Sequence, residues 1–164
     1  MRHRKTPPAR VSDDGGHVNA PLHRQLLSLA PLDLAAAGAL LAAARSLQRV
    51  DGMPLLGKNI ALMCGAAAGD AGNAFSEAAT RLGARVARIE PAQPGIERAR
   101  LIEHLYDAVD CEALPAGFAQ ALQQRLSVPV FDGLARDDHP MLALLDGTLD
   151  RRALVQAALV STLL

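Results

Sequence analysis

A chain of 164 residues, half of them apolar, is long enough for one domain with a real core and too short for two comfortable ones. Seventeen Lys and Arg balance seventeen Asp and Glu, so no net field recruits DNA or an anionic membrane. The aromatic residues are only Phe75, Tyr106, Phe118 and Phe131, which leaves an aliphatic core and no stacking platform for single-stranded nucleic acid.

Residues 1–20 are rich in charge, Pro and Gly without periodicity, which predicts a disordered basic tail. No apolar segment follows its basic residues, so it does not read as a secretory signal, and no stretch reaches membrane-spanning length. The expected compartment is the cytoplasm, where Cys64 and Cys111 would stay reduced thiols. A helix is expected after Asp33, its natural N-cap, with Leu34, Leu40, Leu41, Ala44 and Leu47 on one side. Asn59–Cys64 is a nearly continuous apolar run, as in a buried parallel strand. A Gly/Ala loop over Gly65–Gly72 follows, with Asp70 or Asn73 as cap of the next helix. Phe75, Ala78, Ala79 and Leu82 fall at helical spacing, and Gly83 stands where a C-terminal cap belongs.

Further along, strands are expected at Arg85–Glu90, Ala108–Ala113 and Val128–Phe131. Helices are expected at Ile96–Leu105, Ala116–Leu126, His139–Thr148 and Arg151–Leu164, with Pro140 tolerated in a first turn. This alternation predicts an α/β fold: a four-stranded parallel sheet with helices on both faces over residues 21–150. Residues 151–164 form a C-terminal helix that packs back on it. Ligands of such sheets sit at the carboxyl ends of the strands, here Cys64–Asn73, Glu90–Gly95, Cys111–Pro115 and Asp132–Leu142.

Several segments, in order, resemble the carbamoyl phosphate-binding half of the aspartate and ornithine transcarbamoylases. They are Leu27-Ser-Leu and Leu32-Asp-Leu, Leu56-Gly-Lys58, Phe75-Ser-Glu-Ala-Ala-Thr-Arg-Leu-Gly83, Ala99-Arg100 and Tyr106-Asp-Ala-Val109. Val128-Pro-Val130, Asp138-His-Pro140 and Ala143-Leu-Leu-Asp146 continue the series, and Arg152-Ala-Leu154 resembles the helix that returns from the family's second domain. The resemblance implies that fold, a setting in amino-acid or pyrimidine metabolism, and a trimer. It also suggests a chain from which the amino-acid-binding domain has been excised.

Carbamoyl phosphate is a dianion that needs bidentate cations and backbone N–H groups. The family's Ser-Thr-Arg-Thr-Arg loop falls on Ala68-Gly69-Asp70-Ala71-Gly72. Its strand-end Arg falls on Glu112, its lid pair on Glu97-Arg98, and its carbamoyl-holding Gln on Leu142. His139 alone matches, in the role of a hydrogen bond to the carbamoyl oxygen, although a His at a helix start also serves as a structural cap. The expectation is therefore a catalytically inactive domain, without cofactor or metal, acting through a homotrimer or a mixed assembly with a true transcarbamoylase. Two alternatives stay open: a carboxyl- or carbamoyltransferase completed by a partner chain, and a small-anion module using the Gly-rich loop. That loop also reads as a tight strand-to-helix turn. No CxxC or HxxxH spacing supports a thiol or metal site joining Cys64, Cys111 and His139. The arginines at 85, 88, 98 and 100, interleaved with acids, read as a solvated or subunit-facing surface.

Overall fold

The computed structural model describes residues 22–26, 31–91 and 95–164. The basic tail expected at 1–20 and the Leu27-Ser-Leu segment lie outside the described residues. In chain order the elements are α1 (Leu22–Leu26), α2 (Leu34–Leu47), β1 (Asn59–Cys64), α3 (Gly69–Arg81), β2 (Arg85–Ile89) and α4 (Ile96–Leu105). Then come β3 (Ala108–Glu112), α5 (Phe118–Gln123), β4 (Val130–Phe131), a 3-10 turn (Pro140–Leu144) and α6 (Arg151–Leu163). All strand pairs are parallel, in the order β2-β1-β3-β4. The expected four-stranded α/β sheet is thus present.

Alternation along the strands sorts side chains onto two faces. Ile60, Leu62, Ala108 and Phe131 enter one core with Leu40 of α2, Phe75 of α3 and Leu154 and Ala158 of α6. Ala61, Met63, Val109, Cys111 and Val130 enter the other, under Ile102 of α4 and Leu122 of α5. Helix α6 closes the first face: it packs on α2 and α3, its Gln156 donates to the Ala78 carbonyl at 3.1 Å, and Arg151 donates to that of Ala135 at 3.1 Å.

Capping explains most helix boundaries. The Asp33 carboxylate accepts from the Ala36 amide at 2.7 Å and starts α2; Asp150 does the same for α6 through Ala153, at 2.8 Å. Gly83, at φ +89°, follows α3 in the left-handed conformation that suits glycine.

Several expectations need correction. Leu34 does not face the core: it is 91% exposed, because the buried stripe of α2 runs through Ala36, Leu40 and Ala44. The Gly/Ala loop is shorter than expected. Helix α3 already begins at Gly69, so Asp70 lies in its first turn and neither Asp70 nor Asn73 caps it. Helix α5 is only six residues long, beginning after a left-handed Gly117 at φ +81°. The expected helix His139–Thr148 contracts to the 3-10 turn, and the fourth strand to two residues.

Candidate functional site at the strand carboxyl ends

The four strand ends and the segments leaving them fall into two groups of side chains. The first surrounds the start of α3. Between β1 and α3, Gly65 donates its amide to the Glu112 carbonyl at 3.0 Å. A Cβ at Gly65 would overlap the Ala113 carbonyl oxygen, so the turn is held against the end of β3 at a distance only glycine permits. Ala68, the residue before α3, offers no side-chain cap. Gly69 and Asp70 are exposed, Ala71 is half-buried and Gly72 is buried.

Register also brings a cation here, and Arg88 is exposed, as expected of a solvated surface. Leu62 pairs with Arg88 across β1 and β2, and the Arg88 guanidinium donates to the Asn73 side chain in the first turns of α3 at 2.6 Å. A Cβ on Gly72 would lie 3.7 Å from Cys64 Sγ and 3.8 Å from Arg88 Nη2. Burial pushes the Cys64 thiol up, with Arg88 opposing and Asp110 and Glu112 adding to the rise. The thiol therefore stays protonated at neutral pH.

The second group is acidic and lies at the ends of β3 and β4. Asp110 and Glu112 point to the same face of β3, and both are buried. Asp110 accepts from the Leu134 amide at 3.2 Å through Oδ1. Its Oδ2, like Glu112 Oε2, has no hydrogen-bond partner among the described residues. Burial, followed by the charge of Glu112, raises the Asp110 carboxyl well above the ordinary range. Burial also raises Glu112 to about 7, opposed by Arg136 and the Ala113 amide and reinforced by Asp132 and Asp138. Ala113 follows at φ 53°, a left-handed conformation that strains a residue bearing a Cβ.

Arg136 bridges two further acids beside these, Asp132 and Asp138. It grips Asp138 with Nε at 2.9 Å and Nη2 at 2.7 Å, while its Nη1 is 3.5 Å from Asp132. Asp132 is itself raised by burial, with Arg136 opposing. Three carboxyl groups, on Glu112, Asp132 and Asp138, lie around one guanidinium that is already paired, a place poorly suited to a dianion.

Next to Asp138, His139 is buried and engaged at both ring nitrogens. Nδ1 accepts from the Met141 amide at 3.2 Å, so Nε2 carries the hydrogen and donates to the Leu26 carbonyl at 3.1 Å. Burial lowers its pKa, with the Leu26 bond opposing, and keeps the ring neutral. In this arrangement the imidazole caps the 3-10 turn and ties it to α1. Leu142, half-buried, packs on the first core, and its amide donates to the His139 carbonyl at 3.0 Å.

Pleating separates the two cysteines, which are both free: Cys64 packs against the first core and Cys111 sits in the second. Among the described residues, no group of three or more His, Cys, Asp or Glu is placed to hold a metal ion. Nor is any helix among them long and apolar enough to cross a membrane. Of the residues singled out from the sequence, Glu112 meets the Gly65 turn and His139 meets Leu142. Asp132 had been noted at a strand end, whereas Asp110, Arg136 and the bond from Arg88 to Asn73 were missed. For Asp110, an acid inside an apolar strand run was the available signal.

No protein-family model matches the chain. The catabolic ornithine carbamoyltransferase of Burkholderia mallei is 33% identical over 136 residues, covering 76% of this chain and 40% of that relative. The catabolic ornithine carbamoyltransferase of Malacoplasma penetrans is 30% identical over 104 residues, covering 59% of this chain and 30% of the relative. Among solved structures, ornithine carbamoyltransferase from Gloeobacter violaceus aligns with a TM-score of 0.53 at 28% identity, over 65% of this chain and 36% of that one. Ligand-free aspartate transcarbamoylase from Trypanosoma cruzi aligns with a TM-score of 0.58 at 19% identity, over 74% of this chain and 43% of that one, a likeness of fold.

Proposed function

We propose, for a chain that is a relative of the aspartate and ornithine carbamoyltransferases and spans at most about 40% of the length of these curated relatives, that it keeps the fold without carbamoyl transfer. Its role is then structural or regulatory, in the cytoplasm, through association with further copies of itself or with a complete transcarbamoylase. The observation that carries this reading is the acidic end of β3 and β4. Glu112 is buried there, Asp132 and Asp138 stand beside it, and the Arg136 guanidinium is already occupied. A dianion entering that space would meet carboxylates and a spent cation. His139 adds nothing, because both its nitrogens are bonded within the protein.

Calorimetric titration of the full chain with carbamoyl phosphate tests this directly. No heat of binding up to millimolar ligand is expected, and saturable binding would overturn the reading. Light scattering addresses assembly: a trimer is expected, and a monomer that also ignores an added carbamoyltransferase would remove the associative role.

A second reading, a module for a small anion, is favoured by Arg88 alone. Its guanidinium lies beside the start of α3, which has no side-chain cap and whose dipole favours a negative charge. Inorganic phosphate that binds the chain but not an Arg88→Ala variant would favour this reading over the first.

A further inference from the structure

Away from the strand carboxyl ends, the segments that enter β1 and β2 meet α2 and α6 in a groove that has no part in the acidic group. A hollow of about 330 Å³, walled in part by Asp51, Arg81 and Arg152, opens into one of about 410 Å³ beside Met53 and Pro54. Leu47, Val50 and Gly52 line both. The apolar half leaves Val50 67% and Met53 62% exposed. Its wall is fixed in place. Leu55 is buried and donates its amide to the Leu82 carbonyl at 2.8 Å, and a Cβ on Gly83 would lie only 2.8 Å from Met53 Cβ. A preformed hollow spares a ligand the cost of ordering the loop.

Charge in the polar half is divided in a definite way. Glu77 Oε1 lies 3.4 Å from Arg81 Nε and 3.9 Å from Arg152 Nη1, so one carboxyl oxygen gathers guanidiniums from α3 and α6. Arg152 is further occupied by Asp150 at 3.3 Å, and Asp150 in turn caps α6. Arg81 meets Glu77 through Nε, which leaves its Nη1–Nη2 edge for the two oxygens of another carboxylate. Asp51 is exposed and has no hydrogen bond or ion pair among the described residues. An open guanidinium edge, an open carboxylate and an apolar hollow beside them match a zwitterion with an apolar tail. We infer that this groove binds a free α-amino acid with an apolar side chain: its carboxylate on Arg81, its ammonium on Asp51 and its side chain against Val50 and Met53. A simple carboxylic acid would answer only one of the two charges, and glycine would leave the hollow empty. The Arg81–Glu77 pair is surface-exposed, so a ligand carboxylate loses little by sharing that guanidinium.

Calorimetric titration of the full chain with L-leucine tests the inference, alongside methyl nuclear magnetic resonance spectra of the same samples. Saturable millimolar binding is expected, with shifts at the methyl groups of Leu47, Val50 and Met53. Arg81→Gln should weaken it about tenfold or more, while Arg100→Gln, an exposed arginine of α4, should leave it unchanged. The unbranched charge test uses 4-methylpentanoate, which has the same tail and no ammonium: the parent should bind it about tenfold more weakly than leucine. In Asp51→Asn that preference should vanish. Glycine should not saturate. The altered residues are exposed, and a thermal midpoint within a few degrees of the parent shows that each variant is folded. Val50→Asp, which puts a charge in the apolar half, supplies an independent variant and should abolish leucine binding. The site is overturned by leucine that fails to saturate, by methyl shifts confined to other parts of the protein, by equal affinity for leucine and 4-methylpentanoate, or by parent-like binding in folded Arg81→Gln or Val50→Asp.

Discussion

The middle of the sheet and its carboxyl ends follow opposite rules. In the middle, Ile60, Leu62, Ala108 and Phe131 are buried against aliphatic helices, and every local preference agrees with the fold. At the ends, within a few residues, the chain buries two acids with orphan oxygens, places an alanine at φ 53° and shares one arginine between Asp132 and Asp138. Such departures cost stability and persist where the surrounding structure holds them. The difference teaches that this fold rests on its body and not on its ends. The ends carry buried acids in place of an ordinary apolar closure.

Breaking the body should have the largest effect. Phe75→Ala, on a side chain fully buried between α3 and the sheet, should lower unfolding free energy by about 3–5 kcal/mol in urea titration. An effect below about 1 kcal/mol would mean that the first core is looser than its burial indicates. At the ends the sign reverses. Glu112 loses its proton near 4.5 when unfolded and keeps it to about 7 when folded. Over that interval the folded state binds more protons, so stability falls as pH rises from about 4.5 and levels off above about 7. At 1.36 kcal/mol per unit this amounts to roughly 3 kcal/mol. Glu112→Gln should therefore be more stable than the parent at pH 8 by up to about 3 kcal/mol, and indistinguishable from it near pH 4. A parent protein whose stability rises from pH 5 to 7 would contradict the burial of this acid.

Smaller effects sharpen the same contrast. Asp33→Ala removes the cap of α2, a part of the body, and should cost about 1 kcal/mol, read as a lower thermal midpoint. Ala113→Gly, at the ends, should instead gain up to about 1 kcal/mol by relieving the left-handed alanine. A loss at that position would show that the Ala113 methyl group contributes packing that outweighs its strain.

What could be read from the sequence follows the same division. Phe75, Ala78, Ala79 and Leu82 announced α3 by spacing, and the run Asn59–Cys64 announced β1, because periodicity records which side is buried. Asp33 was legible as a cap because capping is local. Leu34 was misplaced because an apolar residue in a first turn can precede the buried stripe of its helix. Helix α5 was overextended because Gly117 imposes a left-handed start that the apolar pattern does not reveal. Arg88 was unreadable for a different reason: its meeting with Asn73 depends on how β2 registers against β1, and no local pattern carries register. Glu112 was noticed as an acid where a cation was expected. Its burial and its relation to Arg136 come from the turn after β4, which packs the segment 132–138 over the end of β3.

The packing of α6 has a consequence for timing. Its helix lies against α2, and the contacts beside it, such as Arg45 with Asp146 and Gln48 with the Thr148 carbonyl, join residues about 100 positions apart in the chain. Contacts of such separation form late and slow the search for the native state. During synthesis, α2, α3 and the sheet face beneath them must wait with their apolar sides uncovered until α6 leaves the ribosome. The first core is the larger of the two and also the last to be sealed, so its apolar sides stay exposed to association over that interval.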